Sequence, residues 1–397
     1  MTRIGVFAMG FVALAMVSNA ATADVTFQTL YNFTGTSYGA SPQSGLVMDA
    51  AGNLYGTTPK GGASNMGMLF KLAPDGTFTI LHTFSGGRDG AVPTAAALTL
   101  DARGTIYGLT EQGGIANGGT AYRFRNGKIK VLHSFGVGSD SSWPQSGLLL
   151  QPDGSLVGTA NQGGGAGCSQ SGGCGTIFRL APDGTETILH AFAGGTADGS
   201  GPTGTPVRDL TGNFYGTTYY GGQLNKGTVY KIAPAGTASL LYSFTYTASN
   251  PYQGLTLDKH GNLFGTTESG SLYNSGAVFK IDTESQASIV YDLSKGPGKG
   301  VGLTGFLADR KGNLYGTLSV GGGNQTGDCS YPGGCGAFFF LDPRTGQSTL
   351  LHGFGGSDGQ NPYSGVIADG HGNYYGTTMW GGANNNGTIF KISTGTK

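Results

Sequence analysis

The side chains best suited to catalysis in this sequence are three carboxylates in polar, glycine-rich segments: Glu111, Glu268 and Asp328. Two carboxylates held about 5 to 10 Å apart can cleave a glycosidic bond, one as general acid and the other as base or nucleophile. The residue types therefore support one hypothesis, an extracellular glycoside hydrolase or polysaccharide lyase that uses carboxylates and tyrosines.

Four aspartates recur in the connections between repeated units, commonly before glycine: Asp89, Asp140, Asp198 and Asp358. One interpretation is a partial ring of carboxylates near a channel mouth, where several oxygens could bind Ca²⁺. The other is an Asx turn, in which each carboxylate accepts hydrogen bonds from its own loop backbone. Because no EF-hand spacing is present, we favour the turn and predict no cofactor, with Ca²⁺ as the alternative.

Histidine is the usual general base, so the positions of the six histidines are informative. His82, His133, His190 and His352 occupy one repeat position, which tyrosine fills elsewhere, as at Tyr242. A position that accepts either ring indicates a structural role. We therefore expect no histidine on the side that carries the long loops, which argues against a Ser-His-Asp site and a histidine-bound metal there.

The four cysteines form two local pairs, Cys168 with Cys174 and Cys329 with Cys335, each with C-x5-C spacing. In an oxidising compartment this pattern favours two loop disulfides. The alternative is one zinc site with four thiolates. It is disfavoured because the spacing is not that of zinc-binding loops and the pairs lie three repeats apart.

Aromatic residues in the long loops are candidates for ligand binding: Trp143, Trp380, Tyr219, Tyr220 and Tyr331. Exposed rings beside glycine, asparagine and threonine offer flat apolar faces and polar partners, a combination suited to a sugar or a peptide. The alternative is that these rings cover the edges of sheets or support the loops.

Charge and hydropathy exclude two classes of partner. Basic and acidic residues number 22 each and no basic run occurs, so nucleic-acid binding lacks the required positive surface. Residues 1–23 read as a signal peptide, with Arg3, an apolar segment and a small-residue cleavage site. No other segment has the length and apolarity of a membrane span. We expect an exported protein, secreted or periplasmic.

One repeat organises residues 24–397, which we predict to be a single domain. An aromatic-Gly-Thr core recurs about every 50 to 60 residues, at Gly56, Gly108, Gly158, Gly216, Gly265, Gly316 and Gly376. Each copy contains four short strands separated by turn residues. The last copy stops after its third strand, while an orphan fourth strand, Thr26 to Phe33, precedes the first copy. This arrangement predicts an all-β, seven-bladed propeller with four antiparallel strands per blade, closed by the N-terminal strand.

The repeat P-x-x-G-L-x-x-D-x-x-G-N-L-Y-G-T-T, seen from Pro251 and from Pro362, resembles the GloVer tandem repeat of exported bacterial proteins. Its first half is also similar to NHL-type propeller repeats. The GloVer resemblance implies a propeller and export but no agreed activity. Members often carry a C-terminal sorting tail, whereas Ile392 to Lys397 contain none, which argues against surface anchoring.

Loops between the second and third strands emerge on the same face of a propeller as the connections between blades. These are the long loops, and variable loops on a rigid scaffold usually carry recognition. We therefore expect a monomeric, non-catalytic recognition module that binds a glycan, a peptide or a cell-surface protein through this long-loop face. The hydrolase or lyase is one alternative, and a structural envelope or matrix protein is another.

Overall fold

The strands of each repeat combine inward-facing apolar residues with polar turns. In the third strand of the first repeat, Met68–Leu72, every residue except Lys71 is buried, because blades pack against both faces of this strand. The computed structural model describes residues 25–136, 140–165, 168, 172–270, 275–294, 301–323, 329 and 334–395. Its strands form seven antiparallel four-stranded blades in a ring, and the prediction of a seven-bladed β-propeller is confirmed.

The strands of blades 1 to 4 follow the chain from the axis of the ring to its outside. Their bounds are Val47–Met48, Leu54–Thr58, Met68–Leu72 and Phe78–Thr83 in blade 1; Thr99–Leu100, Ile106–Gln112, Thr120–Arg125 and Lys128–Ser134 in blade 2; Leu149–Leu150, Leu156–Gly163, Thr176–Leu180 and Glu186–Ala191 in blade 3; and Val207–Arg208, Phe214–Gly221, Thr228–Ile232 and Ala238–Ser243 in blade 4.

Blades 5 to 7 repeat this order, with the outermost strand of blade 7 supplied by the N-terminus. Their bounds are Thr256–Leu257, Leu263–Thr267, Ala277–Ile281 and Ala287–Asp292 in blade 5; Val301–Ala308, Leu314–Val320, Ala337–Asp342 and Gln347–Gly353 in blade 6; and Ile367–Ala368, Asn373–Thr378, Thr388–Ser393 and Thr26–Asn32 in blade 7. Short strands at Ala91–Pro93, Ser141–Pro144, Gly199–Pro202, Ala248–Ser249 and Ser269–Gly270 and a 3-10 helix at Thr36–Tyr38 complete the elements.

The ring is closed by the pairing of its two ends. Thr26–Asn32 runs antiparallel to Thr388–Ser393, with Thr26 opposite Ser393 and Asn32 opposite Thr388. Phe33 follows this strand, is fully buried, and donates its N–H to the Gly387 carbonyl at 3.0 Å. The predicted closure by the N-terminal strand is therefore present.

Buried aromatic pairs join most neighbouring blades. Phe33 of blade 7 packs against Phe70 of blade 1 with ring centroids 5.4 Å apart, and Phe135 of blade 2 packs against Phe178 of blade 3 at 5.1 Å. The ring on the third strand lies over the repeated glycine of the second. A Cβ added at Gly56 would lie 2.6 Å from Cζ of Phe70. This close approach explains why glycine recurs inside the strand.

Aspartate-centred turns define the face opposite the long loops. The Asp49 carboxylate accepts hydrogen bonds from the backbone N–H of Ala51 and Asn53, from the Asn53 side chain and from the Tyr55 hydroxyl. Asp209, Asn213 and the Tyr215 hydroxyl repeat these contacts in blade 4. Side chains on this face are therefore engaged in holding turns.

Candidate functional site at the channel mouth

A cavity of about 380 Å³ lies on the axis of the ring. Residues of all seven blades line it, from Gly45 and Leu46 in blade 1 to residues 363–367 in blade 7. The lining comes mainly from the innermost strands and the residues just before them. Its volume falls within the range of small-molecule sites, about 300 to 1,000 Å³.

The long loops around the mouth of this cavity are held by asparagines in the left-handed conformation. Asn65, Asn117, Asn225 and Asn385 have φ of 53°, 57°, 52° and 52°, which asparagine tolerates better than most residues. Each side-chain oxygen accepts the N–H of the glycine four residues earlier, at 2.8 to 2.9 Å. The loops are thus compact turns that give the second-strand ends fixed positions.

Tyrosines and glutamates from several blades meet at the channel mouth. The Tyr219 hydroxyl donates a 2.6 Å hydrogen bond to Oε2 of Glu268. The Tyr219 ring lies edge-on to Tyr220, with centroids 4.7 Å apart, and to Tyr252, at 6.0 Å. Blades 4 and 5 therefore contribute a connected polar and aromatic surface.

Tyr252, Tyr363 and Glu111 extend this surface across the axis, and all three line the cavity. Burial, the neighbouring Tyr363 and the negative charges of Glu111 and Glu268 raise the pKa of Tyr252. Burial alone raises the pKa of Glu111 to about 7. We refer to Glu111, Tyr219, Tyr220, Tyr252, Glu268 and Tyr363 as the rim cluster.

Sequence reasoning named four members of the rim cluster but missed Tyr252 and Tyr363. Both tyrosines directly follow a proline at the same repeat position, in Pro251-Tyr252 and Pro362-Tyr363. That position precedes the innermost strand, so the proline-aromatic pair was the available signal for a ring at the channel mouth.

The two tryptophans lie in other blades. Trp143 is 37% exposed on Ser141–Pro144 at the start of blade 3, and its backbone N–H donates to the Gly118 carbonyl. Trp380 is half-buried at the end of the second strand of blade 7, where its backbone pairs with Gln360. Among the described residues, neither ring contacts the tyrosines of the rim cluster. Tyr331 and Asp328 lie outside the described residues.

The inter-blade aspartates lie beside the outermost strands rather than in the cavity lining. Oδ2 of Asp89, Asp198 and Asp358 lies 3.0, 3.0 and 2.8 Å from Nε2 of His82, His190 and His352. Each carboxylate also accepts a loop N–H, as from Ala193 to Asp198. Although burial raises the pKa of Asp198, the hydrogen bonds from His190 and from backbone N–H groups lower it overall. These contacts are the ones that an Asx-type turn requires.

These contacts correct one expectation from the sequence. The long-loop face was expected to carry no histidine, because the histidines lie in outer strands. That expectation was wrong, since the imidazoles of His82, His190 and His352 reach the aspartates of the inter-blade loops. Strand position locates a Cα atom but does not give the direction of a long side chain.

Asp140 has a different environment from the other three. His133, Asp140 and Glu186 place one potential ligand atom each within 4.8 Å of one another, the one such group among the described residues. Burial raises the pKa of Glu186 to about 8, and the neighbouring Asp140 adds to the rise. The group lies between blades 2 and 3 at the outside of the ring.

Both predicted disulfides are present. Cys168 pairs with Cys174 and Cys329 with Cys335, with Cα atoms 5.5 and 5.1 Å apart. The alternative of a shared thiolate zinc site is thereby excluded. Among the described residues, no helix has the length and apolarity needed to cross a membrane.

The repeat and its ring geometry agree with a comparison against protein families. The model of the Gloeobacter/Verrucomicrobia repeat matches residues 15–171 and 167–330. The chain belongs to this repeat family. The GloVer resemblance stated from the sequence is thus confirmed. No curated protein matches the sequence of this family member.

Three solved structures have folds similar to that of this chain. An oligogalacturonate lyase in complex with manganese has a TM-score of 0.58 and 10% identity over 94% of each chain. The extracellular domain of a proposed one-component system from B. thetaiotaomicron has a TM-score of 0.57 and 13% identity, over 91% of this chain and 39% of that one. A puromycin hydrolase has a TM-score of 0.55 and 13% identity, over 85% and 50%. At these identities the likeness extends to the fold alone.

Proposed function

We propose that this chain is an exported, non-catalytic recognition propeller whose rim cluster binds a glycan at the channel mouth. The single observation that carries the proposal is the convergence of four tyrosines and two glutamates at one end of the axial cavity. Members of this cluster come from blades 2, 4, 5 and 7, so the surface exists only in the closed ring.

The chemistry of the rim cluster suits a sugar better than a purely apolar ligand. Tyrosine rings offer flat faces against which the C–H face of a pyranose can pack, and their hydroxyls supply donors and acceptors. Tyr220 is 44% exposed and Tyr252 is 37% exposed, so both rings are accessible. The carboxylates of Glu111 and Glu268 can accept hydrogen bonds from sugar hydroxyls.

Export of a single monomeric domain is part of the same proposal. Two disulfides favour an oxidising compartment, secreted or periplasmic. The signal-peptide pattern in residues 1–23 and the continuous repeat of residues 24–397 support the proposed boundaries. A glycan offered by a cell surface or an extracellular matrix would be accessible to such a protein.

A glycan array probed with the mature protein tests this proposal. Tyr252→Ala should strongly reduce the wild-type signal, because it removes a ring that lines the cavity. Tyr246→Ala is the matched control, since Tyr246 is 70% exposed and is not part of the cavity lining. Trp143→Ala and Trp380→Ala test whether the tryptophans contribute. Absence of any glycan signal from the folded wild-type protein would overturn the proposal.

One observation favours a second candidate, the carboxylate-based glycoside hydrolase or lyase. Because burial raises the pKa of Glu111 to about 7, this carboxyl keeps its proton close to neutral pH, as a general acid must. A propeller of similar fold is an oligogalacturonate lyase, which gives the hypothesis a first substrate class to try. Product release from uronate-containing polysaccharides by wild-type protein, lost in Glu111→Gln, would establish catalysis. No turnover across a polysaccharide panel would reject this candidate.

A further inference from the structure

The group formed by His133, Asp140 and Glu186 differs from its counterparts in the other blades. His133 belongs to the outermost strand of blade 2, Asp140 to the following connection, and Glu186 begins the outermost strand of blade 3. The three side chains therefore meet at the junction of two blades, remote from the cavity lining in which none of them takes part.

The tautomer of His133 is set by its second nitrogen. Nδ1 lies 3.2 Å from the carbonyl oxygen of Gly184, which can only accept a hydrogen bond, so Nδ1 carries the proton. The neutral ring then presents a lone pair at Nε2. This atom lies 3.6 Å from Oδ1 of Asp140 and 3.7 Å from Oε2 of Glu186, too far for a hydrogen bond to either.

Two buried polar atoms of this group have no hydrogen-bond partner. They are Nε2 of His133 and Oε1 of Glu186. The Glu186 side chain is only 8% exposed. Asp140 is oriented by backbone N–H donors, from Gly136 at 2.6 Å and from Ser141 at 3.0 Å. Because the carboxyl groups of Asp140 and Glu186 lie side by side, ionising both is costly, and the arrangement lacks a positive charge at its centre.

The equivalent positions show what Glu186 replaces. The first residue of the outermost strand is Phe78 in blade 1, which stacks on Tyr31 with centroids 4.1 Å apart. Phe27 holds the same repeat position in blade 7, as the second residue of its strand, and stacks on His352 in the same way, at 4.2 Å. In blade 4, which follows the blade of His190, the outermost strand begins with Ala238. A third ligand-type side chain is therefore specific to the junction between blades 2 and 3.

The histidine-aspartate contact is also different at this junction. The pairs at His82, His190 and His352 are direct hydrogen bonds of 2.8 to 3.0 Å, whereas His133 and Asp140 are 3.6 Å apart. In a tetrahedral site with metal–ligand bonds of about 2.0 Å, ligand atoms lie about 3.3 Å apart. The distances of 3.6 and 3.7 Å from Nε2 of His133 to the two carboxylate oxygens are close to this ligand–ligand distance and leave room for an ion.

We propose that Nε2 of His133 and the carboxylates of Asp140 and Glu186 bind one divalent transition-metal ion, for which Zn²⁺ is the probe. Two carboxylates balance the charge of the ion, and an imidazole nitrogen favours zinc over Ca²⁺, which takes oxygen ligands. The Gly184 carbonyl orients the imidazole from its far side, as second partners of histidine ligands commonly do. The bound ion would cross-link blades 2 and 3.

Isothermal titration of tag-free, chelator-treated mature protein with ZnCl₂ tests the site. Wild type should bind one equivalent, and Glu186→Gln and His133→Ala should weaken this binding at least 100-fold. The matched control is His190→Ala, whose junction has no glutamate and which should bind zinc as wild type does. CaCl₂ in millimolar excess should leave the zinc isotherm unchanged.

Three outcomes would overturn the proposal. They are no zinc binding by wild type, an isotherm for folded Glu186→Gln that matches wild type, and zinc binding that is lost only when the exposed His260 and His371 are replaced. Circular dichroism of each variant verifies folding. Should Glu186→Gln not fold, Glu186→Phe supplies the second variant, because it copies the residue type of blade 1. Zinc binding retained by that variant would likewise contradict the assignment.

Discussion

Replacing Glu111 by glutamine should stabilise the folded protein at neutral pH but not at pH 4. Burial raises the pKa of this carboxyl from 4.5 to about 7 in the folded protein. As the pH rises above 4.5, the unfolded chain releases the Glu111 proton while the folded chain retains it. The unfolded state then binds fewer protons, so folding stability falls with rising pH until the folded carboxyl also ionises near pH 7. Below pH 4.5 both states are protonated and the penalty vanishes.

The size of the effect follows from the two pKa values. A difference of about 2.5 between them corresponds to about 3 kcal/mol at 1.36 kcal/mol per pKa unit. Glutamine has nearly the same shape as protonated glutamate and no charge, so it avoids this penalty. We expect Glu111→Gln to match wild type at pH 4 and to exceed it by about 3 kcal/mol at pH 8. For a domain of this length that gain corresponds to about 4 °C in melting temperature.

Urea denaturation of both proteins at several pH values between 4 and 8 measures the effect. Glu268→Gln is the matched control, because Glu268 occupies the same repeat position in blade 5 but is exposed. Its free energy of unfolding should change by less than about 0.5 kcal/mol across the range. A stability difference between Glu111→Gln and wild type that does not grow with pH would refute the burial argument. A confirmed penalty would mean that the ring keeps a destabilising carboxyl at its channel mouth.

Three further predictions concern the scaffold. Gly56→Ala should destabilise the fold by about 1 to 3 kcal/mol in urea, because its Cβ would lie 2.6 Å from Phe70. Gly87→Ala should be nearly neutral, because its Cβ would lie 3.4 Å from Oγ of Ser85; equal effects of the two substitutions would contradict the packing argument. Cys168→Ser should lower stability by about 2 kcal/mol through loss of a short cross-link, and an unchanged midpoint under non-reducing conditions would argue against that disulfide. Deleting residues 25–33 should leave an unpaired strand edge in blade 7 and cause aggregation in size-exclusion chromatography; a monodisperse, folded product would contradict the closure.

The ring could be predicted from the sequence because one pattern of strands and turns is repeated seven times. The expected closing strand, Thr26 to Phe33, starts at the same residue in the structure and ends one residue earlier, at Asn32. Such agreement reflects local rules, since turn residues mark the strand ends and β-branched and aromatic residues fill the strands.

The meeting of side chains at the channel mouth could not be predicted in the same way. Glu111 and Tyr252 are more than 100 residues apart in the chain, and they become neighbours only when the ring closes around its axis. The group at His133 and Glu186 was missed for a related reason. A repeat alignment shows that Glu186 stands at a position occupied by phenylalanine in other repeats. It does not show which side chain of the preceding blade that position contacts.

Binding of an array-selected oligosaccharide, measured by isothermal titration to wild type, Tyr252→Ala and Tyr246→Ala, tests the central claim most directly. Loss of a ring that stacks against the ligand should cost at least about 1.4 kcal/mol, or tenfold in affinity, in Tyr252→Ala. The exposed Tyr246 lies outside the cavity lining, so its variant should bind as wild type does. Equal affinities for wild type and folded Tyr252→Ala would contradict recognition at the channel mouth.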